Sequence, residues 1–274
     1  MKKYSHIIPL ILFLSICIYS QNTKDLVSTR EMNRINWLEF QKTVPAKINT
    51  VLLPTGTLEP HGVVNNGADN TAPEAMARDI ALRTNSMIAP VLPYGMTGSL
   101  AAYPGAFKMS EAAYRPFVKE ILEGLARNGF TNIIILNGHG GGQTAVLQDV
   151  ASEVANEKNV RTLVINWWSF ASDITQEVFG EDGGHAGWNE TAYIQAIDPK
   201  LVDQTKYSDD LATPYPRSGT WSATPFPSSI GLYKEGEGYP KFDQKKADEY
   251  FQKVNDKVAK LIIEVRTKWD KAKL

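Results

Sequence analysis

Asn132-Ile-Ile-Ile-Leu-Asn-Gly-His-Gly-Gly-Gly142 is the stretch that decides the fold. Asn132 to Leu136 is short and apolar at consecutive positions, so the strand it predicts is buried on both faces. It runs directly into a glycine-rich turn, and Gln143 to Asn156 then has the pattern of a helix. A strand with no polar face, followed by a helix, is a unit of a parallel sheet covered by helices. Working outward, residues 110 to 128 predict a helix with Ser110 as N-cap, an inner face of Tyr114, Phe117, Val118, Ile121, Leu122 and Leu125, and Gly129 as its stop. Upstream lie apolar runs at Val51 to Pro54 and Met87 to Leu92, with a helix between them from about Thr71 to Arg83. Pro73 is tolerated in the first turn of that helix, and Glu74 suits its positive end. Downstream, Val160 to Trp167 predicts another strand. The alternation of strands and helices gives an α/β fold, three-layered, with a mostly parallel sheet.

The flanks are less regular. Residues 30 to 42 predict a short amphipathic helix with Trp37, Leu38 and Phe40 inward. Beyond Trp168, Glu181 to Glu190 leads into a helical segment from Thr191 to Ile197, and residues 210 to 240 read as a surface excursion. Asp243 to Lys271 predicts a long amphipathic helix with Tyr250, Val254, Val258, Leu261 and Ile262 inside. No repeat or linker divides the chain, so residues 21–274 are expected to form one domain.

The first twenty residues have a basic start at Lys2 and Lys3 and an apolar run from Ile7 to Tyr19. That run is shorter than the roughly 20 residues of a membrane span and predicts a signal peptide, residues 1–20, with export to a periplasmic or secreted location. No stable membrane insertion is expected after its removal. The lone cysteine, Cys17, leaves with it, so the mature chain has neither disulfide nor thiolate chemistry. With 29 basic and 30 acidic residues and no basic run, a nucleic-acid partner has no electrostatic support.

Export also removes His6, and the three remaining histidines follow predicted strands. Glu59, His61 and Asp69 follow the first, His139 the third and His185 the fourth. Ligands of parallel α/β sheets gather at these carboxyl ends. Carboxylates with imidazoles suit Zn²⁺, Mn²⁺ or a similar divalent ion. The glycines beside His139 allow close approach of backbone to a ligand. A phosphate site at the same turn is the weaker reading, because the Lys-Ser/Thr of a P-loop is missing.

These motifs bring a resemblance into view. Glu59-Pro-His-Gly62 with Asp69, Asn137-Gly-His-Gly-Gly141, and His185-Ala-Gly-Trp-Asn-Glu-Thr191 resemble the three signature segments of the creatininase (creatinine amidohydrolase) family. Leu53-Pro-Thr-Gly56, Pro93-Tyr-Gly95 and Tyr103-Pro-Gly105 extend the likeness. The resemblance implies a parallel sheet flanked by helices, two divalent metal ions (Zn and/or Mn), and hydrolysis of a C–N bond in a small amide or lactam. It assigns Glu59 and His139 to one ion, His61 to the other, and Asp69 as the bridge. His185 corresponds to a proton-shuttling histidine, and a homo-oligomer is an expected state.

The chain departs from the family pattern in several places. The interval from His61 to Asp69 is one residue short. Gly141 and Trp188 stand where different members carry a ligating glutamate, Gly142 replaces an asparagine, and Leu100 replaces a frequent histidine. Glu190 is retained, and is the candidate for the missing ligand of the second ion and for a catalytic role beside His185. Thr97, Asp182 and Trp188 are candidates for substrate contact, and Trp167, Trp168 and Trp221 for pocket walls. The expected activity is that of a metal-dependent amidohydrolase. The alternative is an exported relative that binds a metal or small ligand without turnover; a structural envelope protein accounts poorly for the histidines.

Overall fold

The computed structural model describes residues 25–213, 221–231 and 241–274. The expected signal segment, and with it the question of export, lies outside them, as does part of the 210–240 excursion. Strands β1 (Thr50–Thr55), β2 (Ser86–Ile88), β3 (Asn132–Asn137) and β4 (Arg161–Asn166) form a parallel sheet in the order β2-β1-β3-β4. Register runs from Thr50 opposite Asn132 to Thr55 opposite Asn137, and from there to Asn166. Two-residue strands β5 (Ala212–Thr213) and β6 (Ile230–Gly231) pair separately.

The helices are α1 (Trp37–Thr43), α2 (Ala68–Ile80), α3 (Glu111–Arg127), α4 (Gly142–Lys158), α5 (Trp167–Phe170), α6 (Ser172–Phe179), α7 (Trp188–Ile197) and α8 (Gln244–Ala272). Alternating strand residues divide the core. Leu52, Ile134, Leu136 and Ile165 pack with α2, α6, α7 and α8, while Val51, Leu53, Ile133 and Ile135 pack with α3 and α4. Helices therefore cover both faces, as strands without a polar face require. Chain order reverses between β1 and β3, the place where such sheets open a crevice at their carboxyl ends.

Several local expectations are corrected. Helix α1 turns its carboxyl end inward: Thr43 is buried and Phe40 meets Phe130 edge-on, while Trp37 and Leu38 are 71% and 52% exposed. Strand β2 ends at Ile88, before Pro90, and Leu92 adds only an isolated bridge to Thr55. Ser110 occupies the N-cap position of α3 without a capping hydrogen bond. Helix α2 begins at Ala68, so Asp69 lies in its first turn and Pro73 in its second. Glu74 is then too far along to serve the helix end, and pairs with Arg78 at 3.5 Å.

Candidate metal-binding active site

The first turn of α2 is wedged between the ends of β1 and β3. Pro73 has no N–H, so the Asp69 carbonyl lacks its usual helical partner. That carbonyl sits against Gly56 and Gly138, where an added Cβ would lie 2.2 and 1.9 Å from it. Only glycine at both positions lets the helix enter this far. Asn137 fixes the opposite turn: its amide donates to the His139 carbonyl at 2.7 Å and to Asn166 Oδ1 at 2.8 Å, and its Oδ1 accepts from His139 N at 3.2 Å. Gln143 adds an N–H to the same oxygen at 3.1 Å.

This packing buries Glu59, His61, Asp69 and His139 together. Asp69 directs one oxygen to each side. Oδ1 lies 2.9 Å from His61 Nε2, and Oδ2 lies 2.9 Å from His139 Nδ1. Glu59 Oε1 flanks His139 Nδ1 at 3.2 Å, and Glu190 Oε2 stands 3.6 Å from His61 Nε2. Two overlapping donor sets result, Glu59–Asp69–His139 and His61–Asp69–Glu190, each with ligand atoms within 4.8 Å of one another. A third, Glu59–His61–His185, is equally close.

The tautomers are set by backbone carbonyls. His61 Nδ1 donates to the Glu59 carbonyl at 3.0 Å, which leaves Nε2 as the inward atom. That Nε2 is buried and makes no hydrogen bond, although Asp69 is within reach. An imidazole nitrogen so placed, facing carboxylate oxygens, fits a divalent cation better than it fits the protein alone. His185 Nε2 donates to the Pro60 carbonyl at 2.7 Å, its ring 4.4 Å from that of His61. Its Nδ1 is then the free atom, 3.6 Å from Glu59 Oε1.

The electrostatics agree with this geometry. Burial disfavours the imidazolium of His61, but Asp69, Glu190 and Glu59 outweigh it and raise its pKa to about 10. Burial likewise opposes the charge on His139, and Glu59 and Asp69 raise it well above the ordinary value. Burial also works against the Asp69 carboxylate, yet His61 and His139 hold its pKa well below the usual range. Glu190 is pushed up to about 7, chiefly by burial. His185 is lowered to about 4 by burial and by the neighbouring His61. Three carboxylates in one buried place attract positive charge, which protons supply here and cations could supply instead.

Of the other candidates, Glu190 opens onto the same cleft of about 270 Å³, together with Trp168 and the Gly138–Gly141 turn. Its Oε2 also accepts from Ala186 N at 2.6 Å, tying down a residue with φ of +56°. Asp182 lines an adjoining cavity. Thr97 is fully buried, with its hydroxyl 2.8 Å from that of Thr57. Trp188 faces away from the cleft: it is buried, stacked on Phe179 at 4.3 Å, with its indole N–H given to Glu181. Trp167 is a core residue and Trp221 stacks on Phe226. The sequence reading missed Gly56, Asn137 and the Pro60 carbonyl as organisers of the site. The run Pro54-Thr-Gly56 at a strand end was the available signal for the first.

A buried histidine–carboxylate cluster at the switch point of a three-layer α/β sheet is a donor set that could hold metal ions, and comparison with known proteins gives its family. The creatininase family model, described as creatinine amidohydrolase, matches residues 33–262. The chain therefore belongs to the creatininase family. Creatinine amidohydrolase of Pseudomonas putida is 25% identical over 225 residues, covering 74% of this chain and 86% of that protein. A 3-dehydro-scyllo-inosose hydrolase of Thermotoga maritima is 27% identical over 165 residues, covering 56% of this chain and 52% of that protein. A solved creatininase variant of the Zn-Zn type shares the fold, with a TM-score of 0.73 at 22% identity over 87% of this chain and 98% of its own.

Proposed function

We propose that this chain is a metal-dependent hydrolase that opens the C–N bond of a small amide or lactam. The observation that carries the reading is the divided carboxylate of Asp69, with one oxygen 2.9 Å from each of two buried imidazoles. Glu59, Asp69 and His139 would hold one divalent ion, and His61, Asp69 and Glu190 the other, with zinc or manganese suited to both. When bound, such ions lower the pKa of a water molecule and polarise the scissile carbonyl.

The chain's own groups supply the remaining steps. Nε2 of His185 is committed to the Pro60 carbonyl, so Nδ1 can take a proton from the attacking water and pass it to the leaving nitrogen. The lowered pKa of His185 keeps that atom unprotonated at neutral pH. Trp168 walls the cleft, and the glycines opposite leave room for a ring or planar amide. Relatives described as a creatinine amidohydrolase and as a 3-dehydro-scyllo-inosose hydrolase support hydrolysis over binding without turnover.

Export, removal of residues 1–20, and assembly into a homo-oligomer belong to the same proposal. Intact mass and light scattering of the protein from its native compartment test them. The activity is tested by metal analysis with a turnover panel of amides and lactams supplied with Zn²⁺ or Mn²⁺. Two ions per chain with release of amine supports the reading; a metal-loaded protein that turns over nothing in the panel contradicts it.

A further inference from the structure

Adjoining the metal cleft is a second cavity of about 210 Å³, lined by Trp168, Ser169, Ser172, Asp182 and Asn189 among others. The two cavities share Trp168, and the consecutive residues Gly183 and Gly184 line one each. The Gly183–Gly184 backbone is closely packed: a Cβ at Gly183 would lie 2.0 Å from Asn189 Oδ1, which itself accepts from Gly184 N at 3.2 Å. Asp182 precedes this packed backbone and lines the second cavity.

The neighbouring groups are already engaged. Glu181 takes the indole N–H of Trp188 and lies 3.8 Å from Lys241 Nζ, while Thr175 is bonded to Tyr250 at 2.9 Å. Asp182 differs. It is half-buried, and among the described residues its carboxylate makes no hydrogen bond or ion pair. A carboxylate without a partner next to an indole wall is the chemistry that recognises an organic cation, by charge from one side and by the ring face from the other.

We propose that this cavity is a specificity subsite for an ammonium or guanidinium group, carried by the substrate away from the bond that is cleaved. The proposal rests on the hydrolase reading for the identity of the first cleft as the reaction site. It makes the preferred substrate an amide with a cationic arm, longer than the metal cleft alone would hold.

The test is calorimetric titration of the zinc-loaded full chain with N-acetylputrescine and with its neutral counterpart, N-pentylacetamide. The cationic amide is expected to bind about tenfold more tightly or better. Asp182→Asn should abolish that preference with the melting temperature unchanged, and Trp168→Leu should reduce it. If Asp182→Asn does not fold, the Trp168→Leu comparison carries the test. Equal binding of the two amides by the wild-type protein, or a preference that survives both substitutions, overturns the subsite. Turnover of both amides is followed in parallel. A charge preference in a protein that turns over neither these amides nor any member of the wider panel removes the hydrolase reading and leaves a cation-binding site, whereas turnover without charge preference keeps the hydrolase and removes the subsite.

Discussion

The two halves of the site around Asp69 are built differently. The half containing Glu59 and His139 comes from the loops that directly leave β1 and β3, and all its side chains are buried. The sheet register and the Asn137 network fix it, with contacts of 2.9 and 3.2 Å to one imidazole nitrogen. The half containing His61 and Glu190 borrows its carboxylate from α7, a separate element, and that carboxylate is already bonded to Ala186 N. Its gap to His61 is 3.6 Å. A ligand set drawn from one sheet edge is preorganised, whereas one completed from a distant helix depends on how that helix sits. The first ion is therefore expected to bind more tightly than the second.

Asp69→Ala strikes both halves at once. It should lose both ions and reduce turnover to background while the protein remains folded, as checked by metal analysis with circular dichroism. Gly138→Ala attacks the shared frame instead. The added methyl meets the Asp69 carbonyl, so the cost should be roughly 2–4 kcal/mol of stability, read from chemical denaturation. His185→Gln spares both halves: metal content should be unchanged while kcat falls by about 10²–10⁴-fold. Glu190→Gln is the smallest and sharpest test of the asymmetry. The amide oxygen can still accept from Ala186 N, so the backbone is kept and only the charge is lost. The second ion should weaken by about 10–100-fold and the first should be unaffected; equal weakening of both would end the distinction between the halves.

Much of this was legible in the sequence because it rests on local patterns. Unbroken apolar runs such as Ile133 to Leu136 cannot present a polar face, and that alone required helices on both sides. His139 could be placed because it follows the end of β3 directly and His61 because it lies in the loop leaving β1, whereas α5 and α6 separate His185 from β4. The placement of Asp69 was harder. The pattern starts its helix only near Thr71, yet Asp69 enters through the first turn of α2, and that depends on the close approach to Gly56 and Gly138, a tertiary contact without periodicity. The same limit explains Trp37, which belongs to an amphipathic pattern but lies beyond the core it was expected to cover. Trp188 illustrates the converse: its position in the His185 motif suggested substrate contact, but packing against Phe179 turns it into the core. The cavity beside Trp168 was legible only in part: Trp168 and Asp182 stand out in the linear chain as a pocket wall and a substrate contact, but nothing there shows that segments 168–175 and 182–189 meet around one space.

One carboxylate, Asp69, would join the two ions of the proposed site. Titration of metal-free protein with Mn²⁺, followed by electron paramagnetic resonance, tests it most directly. An uncoupled six-line signal is expected during the first equivalent, replaced by an exchange-coupled spectrum as the second equivalent fills the His61–Glu190 side. Two equivalents bound with no coupling, or saturation at one, would contradict it.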